Sequence, residues 1–174
     1  MKKIIIAIDS FKGCLTSAEA GKAAEKGIKS INPFCHTSVI PIADGGEGLL
    51  DVLITATKGK YITLSAHGPL MKMAKTHYGL SGNGRTAIIE MAAISGLPLV
   101  PIEQRNPMLT TTFGTGELIK DALNKGCRNF IIGIGGSATN DAGLGMLQAL
   151  GFRFLDKSGH TLSLIHISEP TRPY

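Results

Sequence analysis

Three glycine-rich polar stretches hold the side chains of this sequence best suited to chemistry: Asp9-Ser10-Phe11-Lys12-Gly13, Ala43-Asp44-Gly45-Gly46-Glu47-Gly48, and Gly133 through Gly143. Asp44 and Glu47 lie three apart with two glycines between them. Acids at a helix entrance compensate the macrodipole in any protein. Gly45 and Gly46 add something more, because they let backbone approach a ligand while both carboxylates stay free to hold Mg²⁺ or to accept a hydroxyl proton. Lys12 is either an ordinary solvated lysine or a partner for phosphate oxygens. Asn140 and Asp141 either cap the helix that follows them or, behind Gly135-Gly136-Ser137-Ala138-Thr139, contribute to an anion or metal site. Free N–H groups in such loops hold phosphate or carboxylate oxygens. The three stretches together point to a phosphorylated or anionic ligand.

Other chemistries fit less well. Gly133-Ile134-Gly135-Gly136-Ser137-Ala138 matches G-x-G-x-x-A, with Asp156 further on, which keeps a nicotinamide-dependent oxidoreductase as an alternative. Against it, Asp156 stands beside a Lys-Ser-Gly turn rather than at the end of a second βαβ strand. Neither Gly21-Lys22 nor Gly59-Lys60 has the surroundings of a Walker A loop. Cys14, Cys35 and Cys127 are odd in number and widely spaced, so neither a disulfide framework nor a zinc knuckle is expected. His36, His67, His77 and His160 lack metal-ligand spacing, and His77 reads as a structural strand residue. The net charge of +5 is spread along the chain, with Lys22, Lys26 and Lys29 forming a solvated helix face. With no aromatic residues interleaved among them, no nucleic-acid partner is expected. Asp9 ends the first apolar run too early for a signal peptide, and no run of 18 apolar residues follows. A cytoplasmic protein without a membrane partner is the expectation.

The elements that must position these loops can be read from composition and periodicity. Of 174 residues, 43% are hydrophobic and 18% charged, which suits a packed core. Glycine, 22 residues, is close to twice its usual share of about 7%. Residues 3–9 form a β-branched run expected as a strand buried on both faces. Thr16-Ser17-Ala18-Glu19 has capping-box spacing, opening a helix with Ala20, Ala23, Ala24, Gly27 and Ile28 on its packing side. Val39–Ile42 is expected as the next strand, completing a βαβ unit, and a second helix starts at Leu49. Tyr61–Ala66, Lys75–Leu80 and Thr86–Met91 alternate like antiparallel strands, with a turn at Ser81-Gly82-Asn83-Gly84. Helices over 118–125 and 144–150 flank a strand at Phe130–Ile134, and a hairpin turns at Asp156-Lys157-Ser158-Gly159. In an open parallel sheet the loops after the strands gather at one edge, where ligands bind. The expected fold is α/β: a Rossmann-like βαβ part at 1–66, then a partial second mixed α/β domain at 67–162. Residues 163–174, containing Ile165-His166-Ile167-Ser168-Glu169-Pro170, fit no element and resemble translated sequencing-adapter read-through. They are expected to be a non-native tail.

At its loops the chain resembles the bacterial glycerate kinase family, of the type forming 2-phosphoglycerate. The matching stretches are 9–13, 43–48, Glu90-Met91-Ala92-Ala93, Arg105-Asn106-Pro107, Thr111-Thr112-Phe113-Gly114-Thr115-Gly116-Glu117 and 133–143, in the family's order. The resemblance implies ATP-dependent phosphorylation of D-glycerate with Mg²⁺, at a site between two α/β domains. It also implies a longer chain, so a truncated fragment, inactive or binding only an anionic metabolite, is the rival expectation. At Asp141-Ala142-Gly143 the family commonly has two glycines, so the Ala142 methyl group is expected to crowd the loop. The roles that follow make Asp44 the general base or hydroxyl-orienting acid, assisted by Glu47, with Asp44 and Asp141 toward the metal. Lys12 neutralises phosphate or the glycerate carboxylate. Ser10, Arg105, Thr115 and Glu117 are candidates for glycerate or loop contacts, and Gly135, Gly136, Ser137, Thr139, Asn140 and Asp141 form an anion- or nucleotide-facing loop.

Overall fold

A computed structural model of the chain describes residues 3–161; the tail expected over 163–174 lies outside them. Two sheets share one molecule. In the first, β1 (Lys3–Ile6) pairs in parallel with β2 (His36–Val39), joined through α1 (Ser17–Ile31). The βαβ unit is as expected, but its strands are shifted. β1 ends at Ile6, and β2 begins three residues earlier than the apolar run suggests. Pro41 explains the second shift: it has no N–H to give to a ladder, so pairing ends with Ile40 N–H donating to the Ile6 carbonyl at 2.8 Å. β1 is not covered on both faces either, since Ile5 remains exposed.

The capping box at α1 is present. The Thr16 side chain accepts from the Glu19 backbone N–H, and the Glu19 carboxylate accepts from the Thr16 N–H. The helix packs through Ser17, Ala20, Gly21, Ala24 and Ile28, which follow the 3.6-residue period, while Ala23 and Gly27 face outward. Ser17 also ties the two strand exits together. Its hydroxyl donates to the Ile8 carbonyl at 2.6 Å and accepts from the Ile42 N–H at 3.0 Å.

The second sheet has the order β3-β4-β5-β6, formed by β3 (Lys60–His67), β4 (Met73–Leu80), β5 (Thr86–Glu90) and β6 (Asn129–Gly133). The first three are antiparallel neighbours, as their alternation suggests, and β6 runs parallel to β5. Parallel pairing requires a crossover. It is made by the short helix α3 (Ala92–Ser95), the loop through Pro107, and α4 (Phe113–Asn124). A final helix, α5 (Leu144–Ala149), follows β6, and an antiparallel bridge between Leu155 and Thr161 closes the expected turn at 156–159. The change of sheet falls at the Lys58-Gly59 connection. The division expected near residue 66 lies at the end of β3, inside the four-stranded sheet.

Both faces of β5 are covered, which is why Ala87, Ile88 and Ile89 are all fully buried. Ala87 and Ile89 join Tyr78, Ile94, Leu118 and Ala122 in the main core under α4. Ile88 points the other way, onto Leu50 and Ile54 of α2 (Leu49–Thr57). A Cβ on Gly79 would stand 2.7 Å from Leu50 Cδ1, so the absence of a side chain there lets α2 lie directly on β4. Tyr61 Oη donates to Asp51 on the same helix, a bond that pushes the phenol up to about 12. Thus α2, which follows the first sheet in sequence, is packed on the second.

Candidate functional site

The strand directions put the exits of β1 and β2 on one edge, and those of β5 and β6 likewise. α2 on the second sheet brings the two edges together. The Gly135 N–H donates to the Gly45 carbonyl at 3.2 Å. A Cβ on Gly135 would lie 2.7 Å from Gly46 Cα, and one on Gly133 would lie 2.5 Å from the Gly45 oxygen. The stretches 43–48 and 133–143 therefore meet backbone to backbone at positions that admit no side chain.

Asp44 folds its Oδ1 onto the Gly46 N–H at 3.0 Å, forming an Asx turn that leaves Oδ2 outward. Lys12 Nζ stands 4.0 Å from that Oδ2, with the two side chains 76% and 58% exposed. At this exposure the pair contributes little stability. It is instead an open cation and an open carboxylate at the junction of two glycine loops.

Beside the junction lies a cavity of about 580 Å³ between the segment after β1 and the α2–β4–β5 layer. Ser10 and Glu47 line it, together with Asp51, His77 and Glu90, and its remaining walls are largely apolar. Lys12 and Asp44 are not part of this lining, so the expected set is split between the cavity and the surface next to it. Glu90 is a further acid of this wall, one that motif spacing alone does not single out. It ends β5 and accepts from the Leu50 N–H at 3.3 Å. Burial holds its carboxyl above the ordinary value, opposed by the backbone N–H groups of Leu50 and Gly48 and reinforced by Asp51 and Glu47. An acid closing an apolar strand at the ligand edge was the available signal.

The rest of the 133–143 loop faces the crossover. Asp141 is 3% exposed. Its oxygens accept from five donors: the hydroxyls of Thr111 and Thr112 and the N–H groups of Thr112, Gly143 and Gly145. A carboxylate so occupied braces the loop against the start of α4, and the metal role expected of it has no open oxygen to serve it. Thr139 donates to the Thr110 carbonyl at 2.7 Å, and Ser137 to the Thr139 carbonyl at 3.2 Å. Gly136 accepts from the Leu97 N–H, and the exposed Asn140 gives its backbone N–H to Pro107 at 3.4 Å. Ala142 has φ +50°, so the cost expected from its methyl group is left-handed backbone strain.

Three further candidates make bonds within the fold, Thr115 and Glu117 from α4 and Arg105 from an exposed position. Thr115 is fully buried, with its hydroxyl 2.9 Å from that of Ser95. Glu117 reaches from α4 to His67 at the end of β3, accepting from the backbone N–H at 2.7 Å and meeting ring Nδ1 at 2.9 Å. Arg105 Nε donates to the Val100 carbonyl at 3.2 Å. The dinucleotide alternative also loses its geometry. That fingerprint needs a helix opening on its glycine turn, whereas α5 begins only at Leu144 and Asp156 lies in the hairpin turn.

Among the described residues no three His, Cys, Asp or Glu side chains gather as a metal cage, and no helix is long and apolar enough to cross a membrane. Mg²⁺ commonly takes one or two carboxylates and completes its shell with water and phosphate oxygens. The outward Oδ2 of Asp44 fits that manner of binding.

Fold and site define an α/β protein whose glycine loops meet at the carboxyl ends of parallel strands. The chain belongs to the glycerate kinase family, whose model matches residues 4–168. It is 56% identical over 157 residues to glycerate kinase of Bacillus subtilis, covering 90% of this chain and 41% of that protein. It is 51% identical over 160 residues to glycerate 2-kinase of Escherichia coli, covering 92% and 42%. A crystal structure described as a glycerate kinase 2 from Salmonella typhimurium LT2 superposes with a TM-score of 0.80 at 49% identity, covering 93% of this chain and 43% of that one. The chain thus spans 41–43% of the length of these relatives.

Proposed function

We propose that this chain forms part of the site of a cytoplasmic kinase that transfers the γ-phosphoryl group of ATP to a hydroxyl of D-glycerate, giving 2-phosphoglycerate. The observation that carries the reading is the backbone contact of Gly45-Gly46 with Gly133–Gly135, with Lys12 and Asp44 at its rim. Family membership supports it as well. Phosphoryl transfer asks chiefly for positioning and charge neutralisation. In this reading Asp44 orients the attacking hydroxyl and takes its proton as the oxygen–phosphorus bond forms and the bond to the ADP oxygen breaks. Lys12 offsets the charge of the phosphate or of the glycerate carboxylate. Ser10 and Glu47, on the cavity wall, orient the substrate's polar end. Because Oδ1 is taken by the Gly46 N–H, Asp44 Oδ2 would serve either as this base or as a ligand of Mg²⁺, which when bound neutralises phosphate charge.

A coupled assay for ADP release with D-glycerate tests the reading on this chain and on one completed to the relatives' length. Activity of the completed chain is expected. The coverage of 41–43% favours a second reading for the 174 residues alone, that they bind the anionic metabolite without turning it over. In the completed chain, Asp44→Asn is expected to cut turnover by about 100-fold or more, and unchanged turnover removes Asp44 from the chemistry.

A further inference from the structure

We propose that Glu90 is a positioning residue for the Asp44–Glu47 loop, fastening the start of α2 to the end of β5 so that the loop stays against Gly135 and Glu47 stays on the cavity wall. The inference rests on the reading of that loop as part of the phosphoryl-transfer site.

The first N–H groups of a helix have no partner within it. α2 starts from Gly48, which stands at φ +88°, has no side chain and makes no capping bond of its own. Glu90 supplies the missing acceptor from another element. Its Oε2 receives the Leu50 N–H at 3.3 Å, and the nearby Gly48 N–H favours the charged form of the same carboxylate. Glu90 is also paired in register with Gly133, and the next residue, Met91, donates its N–H to the Gly133 carbonyl at 2.9 Å. Gly133 and Gly135 in turn touch the backbone of Gly45 and Gly46. The contacts form a closed ring: end of β5, Glu90, start of α2, Gly45-Gly46, Gly135, end of β6. Each fastening limits how far the glycine loop can move, and a loop with two adjacent glycines has large freedom to lose.

A neutral side chain would cap α2 with less desolvation. The acid residue here faces Glu47 and Asp51 from the α2 side and shares the cavity wall with His77 of β4, with no lysine or arginine in that lining. The carboxylate oxygen and an amide oxygen in its place both accept backbone N–H groups, so the fastening rests on where the acceptor stands, at the end of β5 against the start of α2.

Amide hydrogen exchange and amide chemical shifts of the 174-residue chain test the idea with Glu90→Ala and Glu90→Gln. Glu90→Ala is expected to speed Leu50 exchange by about tenfold and to shift the amides of Gly45, Gly46 and Gly135. Glu90→Gln keeps a carbonyl acceptor and is expected to restore both. Faster Leu50 exchange with Gly45, Gly46 and Gly135 unmoved would overturn the proposal, leaving a helix cap alone; so would a Gln variant that behaves like Ala. Should the Ala variant lose its native circular dichroism, Glu90→Asp, one methylene shorter, takes its place with the same expectations. A second arm adds D-glycerate to the wild-type chain. Neither amide readout uses substrate, so failure of the kinase reading appears as unshifted loop amides on glycerate addition while the ring pattern persists, and failure of the Glu90 proposal leaves the glycerate response intact.

Discussion

Ala142 and Glu90 each carry a local cost that the packing around them sustains. A non-glycine residue at φ +50° is held in the left-handed region, where Cβ crowds the following carbonyl. Ala142→Gly is therefore expected to stabilise the chain by about 0.5–1 kcal/mol, the strain relieved less the greater freedom of glycine when unfolded. A rise in the urea midpoint at unchanged m-value checks it. Glu90 has its folded carboxyl raised above the ordinary value near 4.5, chiefly by burial. The folded chain then binds this proton more tightly than the unfolded chain. The contribution is present below the ordinary value and is lost as pH rises through the raised one. Glu90→Gln has no proton to lose there, so its stability relative to wild type is expected to increase from pH 4.5 upward. Urea unfolding of both proteins at several pH values reads this difference, and a Gln variant that loses stability relative to wild type as pH rises contradicts it.

Among the elements, the loop 133–143 shows how one buried carboxylate can hold a ligand-edge segment in place. Asp141 joins the Thr111-Thr112 start of α4 to the Gly143–Gly145 start of α5 through five donors. Hydrogen bonds to a buried charge are each worth about 1.5–3 kcal/mol, and removal of the acceptor strands the donors. Asp141→Ala is expected to destabilise the chain by about 3 kcal/mol or more. Loss below about 1 kcal/mol in denaturant unfolding would mean that the loop has another anchor. The same element view separates the residues near Asp141 by duty. Thr115 and Glu117 bind α4 to Ser95 and His67, whereas Gly135, at the other end of the loop, lies against Gly45 and Gly46, and Gly136 turns to Leu97 and Ala92. Capping boxes, turn glycines and strand alternation were legible because each is set by residues within one turn of one another. The Thr111 and Thr112 partners of Asp141 and the Leu50 partner of Glu90 were not, because they lie 29–30 and 40 positions away.

Taken as a molecule, the described part carries uncovered apolar strands. Ile5, Ile40 and Ile42 are exposed in and beside the two-stranded sheet, and Ile131, Ile132 and Ile134, the last at 73%, are exposed in and beside β6. β6 is an edge strand, hydrogen-bonded only to β5 among the described residues. Apolar edges of this kind pair with other chains. The 174-residue chain is expected to enhance anilinonaphthalene sulfonate fluorescence and to self-associate with rising concentration. Light scattering coupled to size exclusion, giving a monomer with no dye response, would contradict this.

What the sequence alone determined follows from short-range rules: a βαβ start, glycine loops after strands, an antiparallel run, and a composition and motif set resembling glycerate kinases. Only the tertiary structure decided which loops touch. α2 packs on the second sheet through Leu50, Ile54 and Ile88, and that placement brings Gly45-Gly46 onto Gly133–Gly135. It also sends Asp141 inward as a brace and makes Glu90 the acceptor for a helix it does not belong to. The reason is physical: periodicity shows which face of an element is apolar, but the partner for that face is chosen by packing between segments far apart in the chain.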